Sequence, residues 1–153
     1  MRYIPSRREF VILEGEHRGR LQAIAAIETD GAIVRLSVDG APHDGWKQLR
    51  AALGETSAVQ PVLLDDTGGR HLPTGEVTVR FKHEPTAADL EDFASRHALA
   101  LVRRNEFEPG QVVFLPTDAP NVFLPHLVEA LECDPAVHRA WANTRSAYQR
   151  AKE

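Results

Sequence analysis

Glu76-Val77-Thr78-Val79-Arg80-Phe81-Lys82 opens the stretch that decides the fold, which runs on to Asn143. Val77, Val79 and Phe81 alternate with polar neighbours, the pattern of a half-buried strand. Pro85-Thr86-Ala87-Ala88-Asp89 follows, with Thr86 placed to cap a helix and Asp89 three residues on to answer it. Leu90, Phe93, Ala94 and His97 then share one helical face. Leu99 to Arg104 and Gln111 to Leu115 predict two further strands, divided by the turn residues Glu108-Pro109-Gly110. Leu124, Leu127, Val128 and Leu131 mark a second helix that Asp134-Pro135 stops, and Val137 to Ala142 supplies a fourth strand. The order β-α-β-β-α-β predicts an α+β fold on the ferredoxin-like plan. Its expected core is Val77, Val79, Phe81, Leu90, Phe93, Leu127, Val128 and Leu131, with the other sheet face bare.

The preceding residues predict a small β-rich element with one helix. Phe10 to Leu13 is an apolar run between charges. Thr29-Asp30-Gly31 separates Leu21–Ile27 from Ala32–Val38, and Asp-Gly between apolar runs signals a hairpin. The Ala-rich first arm suits a strand or a helix. Val34, Leu36 and Val38 share a face. Asp44 is placed to cap a helix carrying Trp46, Leu49, Arg50 and Leu53, which Gly54 ends. Gln60 to Leu64 reads as a strand, and Asp65 to Gly75 is the softest stretch. The expected organisation is a β-rich element over 1–72, a ferredoxin-like domain over 73–145 and a tail over 146–153.

Bulk properties narrow the function classes. The 153 residues carry a net charge of −4, against the basic stripe that nucleic-acid binding wants. An RNA-binding domain of the same fold would stack bases on aromatics of its central strands. Phe81 and Phe114 stand there without the flanking basic-aromatic motif, so no nucleic-acid partner is expected. No run reaches the roughly 20 apolar residues of a membrane span. Met1 to Glu9 is basic but lacks the apolar core of a signal peptide. With a single cysteine, Cys133, a cytoplasmic location is the expectation.

Catalytic chemistry is not spelled out. The seven histidines include no HxxxH or HExxH pair, so no metal or cofactor is expected. His97 reads as a hydrogen-bonded histidine at the edge of the core. Cys133 reads as an inert, buried thiol. Asp89, Glu91 and Asp92 suit the first turns of a helix through its dipole. Arg103-Arg104 reads as solvated surface. No catalytic residue is assigned and an enzyme is the least expected class.

The run Pro73 to Lys82, the Thr-capped helix ending Arg96-His97-Ala98-Leu99, and Val102-Arg103-Arg104 resemble the propeptides of bacterial subtilisin-like serine proteases. Leu127-Val128-Glu129-Ala130-Leu131, then Asp134-Pro135-Ala136-Val137, Ala140 and Asn143, resemble their close. The match spans about half the chain, and no protease domain follows within it. The resemblance implies a chaperone or inhibitor that binds a subtilisin-like protease, in cis or in trans. It implies docking through the open sheet face, assigned here to Thr78, Arg80, Val112 and Phe114. It also implies a tail lying in the substrate cleft by strand addition, assigned to Ala140, Trp141, Ala142, Asn143 and Thr144. Ala140 to Lys152 has few breakers and also suits a helix. Trp141-Ala142 departs from the Glu-Pro frequent in that family. The competing reading is a stand-alone interaction or sensory domain that uses the open face for a homodimer or another partner.

Overall fold

The structure is a computed structural model that describes residues 3–13, 27–30, 33–36, 40–53 and 58–146. It is a mixed α+β protein built on antiparallel strand pairs. The chain divides into two compact units, one of residues 1–74 with 144–153 and one of residues 75–143. No helix among the described residues is long and apolar enough to cross a membrane.

The first unit contains strands β1 (Ile4–Ile12), β2 (Ile27–Asp30), β3 (Ile33–Leu36) and β4 (Val59–Leu64), with helix α1 (Pro42–Leu53). Strand β5 (Arg70–Phe81) contributes its first residues here, and the order is β2-β3-β1-β4-β5. Asp30 pairs with Ile33, as the Asp-Gly signal requires of a tight hairpin. The turn residues 31–32, the arm over 21–26, Val38 and Gly54 lie outside the described residues. Helix α1 begins earlier than a cap at Asp44 would allow, because Pro42 fits the first turn, where its missing N–H costs nothing. Trp46, Leu49 and Leu53 are buried. The Trp46 indole N–H donates to the Val59 carbonyl at 2.7 Å, fixing α1 to β4. Gly45 lets α1 approach β1, since a Cβ there would come within 2.8 Å of the Phe10 ring. Phe10 and Val11 pair with Val34 and Ile33 and so point to opposite faces. Val11, Ile33, Val62 and Leu72 form a second buried cluster on their own side.

The second unit continues with the later residues of β5, then α2 (Ala87–Arg96), β6 (Leu99–Arg104), β7 (Gln111–Pro116), α3 (Leu124–Glu132) and β8 (Val137–Ser146) as far as Asn143. Every helix and strand expected between Glu76 and Asn143 is present, and β8 extends four residues beyond Ala142. β7 pairs antiparallel with both β5 and β6, and β8 pairs with β5. The α2 cap forms in full: Asp89 N–H donates to Thr86 Oγ1 at 3.1 Å and Thr86 N–H to Asp89 Oδ2 at 2.9 Å. Such a box satisfies two of the orphan donors at a helix start.

Phe93 anchors the core at 1% exposure. Its ring meets Phe81 edge-on at 4.9 Å, and it meets Phe114 at 5.4 Å and His97 at 4.6 Å between centroids. Leu124 and Leu131 are buried, whereas Leu127 and Val128 are only half-buried, so α3 turns a narrower stripe inward than expected. Cys133 is exposed, against the expectation of a buried thiol, because it caps α3 just past its last inward residue.

Candidate functional site

The register between β5 and β7 fixes which side chains share each sheet face. Val77 lies opposite Phe114 and Val79 opposite Val112, while Thr78 faces Val113 and Arg80 faces Gln111. Directly opposed residues point the same way. Val112 and Phe114 therefore join Val77, Val79 and Phe81 beneath α2, both at 0% exposure. The assignment of Thr78, Arg80, Val112 and Phe114 to one docking face is corrected on this point. Thr78 and Arg80 lie on the other face, with Gln111 and Val113. The cause is the run Val112-Val113-Phe114, whose three apolar residues carry no alternation to say which points inward.

A polar lattice covers that other face. The Thr78 hydroxyl donates to Asn143 Oδ1 at 2.6 Å, and Asn143 Nδ2 donates to Glu76 Oε1 at 3.5 Å. Arg103 grips the same Glu76 carboxylate with two guanidinium nitrogens, each at 3.3 Å. Arg80 reaches both oxygens of Glu108 at 3.3 and 3.2 Å. The Arg80, Glu108 and Arg103 side chains are 48%, 52% and 58% exposed, so these ion pairs contribute little to stability. They leave a charged, solvent-facing rim around the buried Thr78.

Ala140, Trp141, Ala142, Asn143 and Thr144 are not a free tail. All five belong to strand β8, with Ala140 and Ala142 buried and Asn143 bonded to Thr78. Ala140 to Ser146 is therefore extended and not helical; residues 147–153 lie outside the described residues. The Arg139 guanidinium sits 5.8 Å from the Trp141 ring centre, within cation–π reach.

Two carboxylate clusters were not legible in the sequence. In the β4–β5 turn, Asp65 Oδ1 accepts from Thr67 N–H at 3.0 Å, Thr67 Oγ1 at 2.7 Å and Gly69 N–H at 2.7 Å. Its Oδ2 lies 2.8 Å from His71 Nε2, and Tyr3 packs on the imidazole at 4.7 Å. The His71 bond first, then the Thr67 hydroxyl and Gly69 amide, hold the Asp65 carboxyl far below the usual range against a small opposing effect of burial. Gly68 supplies the left-handed residue of this turn at φ 85°.

The second cluster gathers at Asp134, whose side chain is 4% exposed. Arg96 Nη1 donates to Asp134 Oδ2 at 2.8 Å, His97 Nε2 lies 2.9 Å from the same oxygen, and Ala136 N–H donates to Oδ1 at 3.0 Å. Burial raises the Asp134 pKa, but the bonds from His97, Ala136 and Arg96 outweigh it and hold it at about 2. His97 thus has the edge-of-core role expected of it. Asp92 pairs with Arg96 one turn away, and Asp89 caps α2, which accounts for two members of the acidic cluster. Among the described residues, each histidine bonds its carboxylate and no serine, threonine or cysteine side chain is bonded to either imidazole. Both read as clasps between elements.

Among the described residues no three His, Cys, Asp or Glu side chains gather to hold a metal ion. No protein-family model, no curated protein and no solved structure matches this chain.

Proposed function

We propose that the chain is a protein-binding module of the propeptide type, whose second unit is a ferredoxin-like domain that docks a subtilisin-like serine protease through its polar sheet face. The observation that carries this reading is the pairing sequence β8-β5-β7-β6. It is the order a split-βαβ fold requires, and right-handed crossovers then put both helices on one face. The docking surface is Glu76, Arg80, Arg103 and Gln111 with Asn143; Thr78 and Val113 share that face but are buried. Val112 and Phe114 leave it for the core. Cleft insertion by Ala140–Thr144 would have to strip β8 from β5, so the affinity is assigned to the sheet face. Rim charges of this kind act on encounter rate and partner choice more than on raw affinity. A cytoplasmic location, consistent with the single Cys133, belongs to the same proposal.

The test is a titration of the chain and of a double variant, R80E/R103E, against a panel of subtilisin-like proteases. Inhibition or binding by the parent, weakened at least about tenfold in the variant, is the expected result. If no protease is bound, the second reading takes over, that of a stand-alone interaction domain.

A further inference from the structure

Four of the five exposed large apolar side chains among the described residues lie in one hairpin: Leu101 and Val102 on β6, Phe107 in the turn and Leu115 on β7. β6 ends the order of paired strands, so one side of it has no neighbour among the described residues. Such an edge presents a row of backbone donors and acceptors.

The register says which residues own those groups. Ala98 O accepts from Thr117 N–H at 3.0 Å, so Ala98 turns its backbone toward β7. Backbone direction alternates along a strand. Ala100 therefore bonds toward Leu115, while Leu99 and Leu101 turn their N–H and C=O groups to the open edge. Pro116, which faces Leu99, has no N–H to give, in keeping with that direction. A bulge between Leu101 and Arg103 ends the regular edge, leaving Leu99-Ala100-Leu101 as the usable stretch. Ala100 shares the outer face with Leu115, and Leu99 and Leu101 share the helix face with Pro116 and Phe114. Leu99 is buried, whereas Leu101 is 52% exposed. Asp89, Asp92 and Arg96 of α2 line a groove toward Lys82 and Ala136. At about 100° per residue, the opposite flank of α2 carries Ala87 and Ala94, with exposed Glu91 its one charge. Small side chains thus stand on the β6 side of the helix.

We propose that β6 pairs antiparallel with β6 of a second copy about a two-fold axis at Ala100, joining the two sheets edge to edge. Leu99 of each copy then faces Leu101 of the other, each pair exchanging both of its N–H···O bonds. Ala100 faces its own counterpart as a non-hydrogen-bonded pair, where Cα atoms approach to about 4.5 Å and small side chains leave the strands room. Exposed Leu101 meets Leu99 on the helix face, and the two Ala100 and two Leu115 side chains form one apolar row on the outer face. No like charges oppose each other at the centre: Ala98 to Val102 carry none, and Arg103 is engaged by Glu76. A strand from an unrelated partner would require no such self-match, and an isologous contact requires all of it. The dimer uses the sheet edge and none of the side chains assigned to the docking face, so it stands apart from the protease reading.

Sedimentation equilibrium of the full chain from micromolar to millimolar concentration tests the association, with Leu101→Pro as the variant. The proline removes an outward N–H that the fold does not use, a position where an edge strand tolerates it. The parent should dimerise, and Leu101→Pro should weaken the dimer at least about tenfold, since half of the exchanged bonds vanish. A second measurement reads the register and does not depend on how the proline variant folds. Ala100→Cys in a Cys133→Ser background should cross-link into a covalent dimer under a mild oxidant, because Cα atoms about 4.5 Å apart suit a disulfide. Phe107→Cys in the same background, on the turn beyond the paired stretch, should not. Both positions are exposed, so neither change touches the core. A parent that stays monomeric to millimolar concentration overturns the proposal. So does a dimer indifferent to Leu101→Pro, or one in which Phe107→Cys cross-links as readily as Ala100→Cys.

Discussion

The imidazole of His97 and the carboxylate of Asp134 meet at 2.9 Å, joining the end of α2 to the turn between α3 and β8. Arg96 holds the same carboxylate at 2.8 Å, so one buried anion fastens two segments 38 residues apart in sequence. Removing it would leave His97 and Arg96 without their shared acceptor. Asp134→Ala should destabilise the chain by about 1–3 kcal/mol at neutral pH, the range for losing a buried acceptor. The Asp134 pKa of about 2 lies below its ordinary 3.8. Its contribution is therefore full above about pH 5 and fades as the pH falls toward 2. Urea denaturation of both proteins across that window checks this; a difference that stays constant to pH 2 would refute it.

Phe93 and Phe114 test the core and the corrected register together. Phe93→Ala should cost about 3–5 kcal/mol, as for a fully buried aromatic. Phe114→Asp should unfold the second unit outright, since the charge would be buried against Phe93. Circular dichroism decides the matter. A folded Phe114→Asp protein would return Phe114 to the outer face.

Asp65 should hold its turn at neutral pH and release it only in strong acid, because its folded-state pKa is depressed. Asp65→Ala should speed amide exchange at Thr67 and Gly69, whose N–H groups it accepts. His71→Phe should leave those two amides protected, since Oδ1 and not Oδ2 receives them. Hydrogen exchange followed by NMR separates the two variants.

Ala98 sits between α2 and β6 with φ 53°, a left-handed conformation that costs a Cβ-bearing residue energy. Ala98→Gly should raise stability by about 0.5–1 kcal/mol despite the greater freedom of glycine in the unfolded chain. The midpoint of denaturation should move up; a downward shift would mean that this turn stores no strain.

The sequence by itself determined what neighbours along the chain decide. Thr86 and Asp89 cap α2 because three residues of separation bring side chain and backbone together in any helix start. Leu90 and Phe93 face inward because a helix turns at 3.6 residues, and Val77, Val79 and Phe81 because a strand alternates. Only the tertiary structure decided what distant partners settle. Val112-Val113-Phe114 is apolar throughout, and pairing Val77 with Phe114 is what sends Val113 outward. Ala140 to Thr144 combines small and polar residues that suit a tail, a helix or a strand. Its place in the sheet comes from β5, and the bond from Thr78 to Asn143 spans 65 positions. The clasp at Asp134 is hidden for the same reason, its histidine and arginine lying 37 and 38 positions away, whereas Asp65 meets donors only two to six positions off in a turn whose closure sets the contact. Loop closure brings their histidines and amides within 3 Å, and a carboxylate on an unfolded chain carries no mark of which donors will reach it.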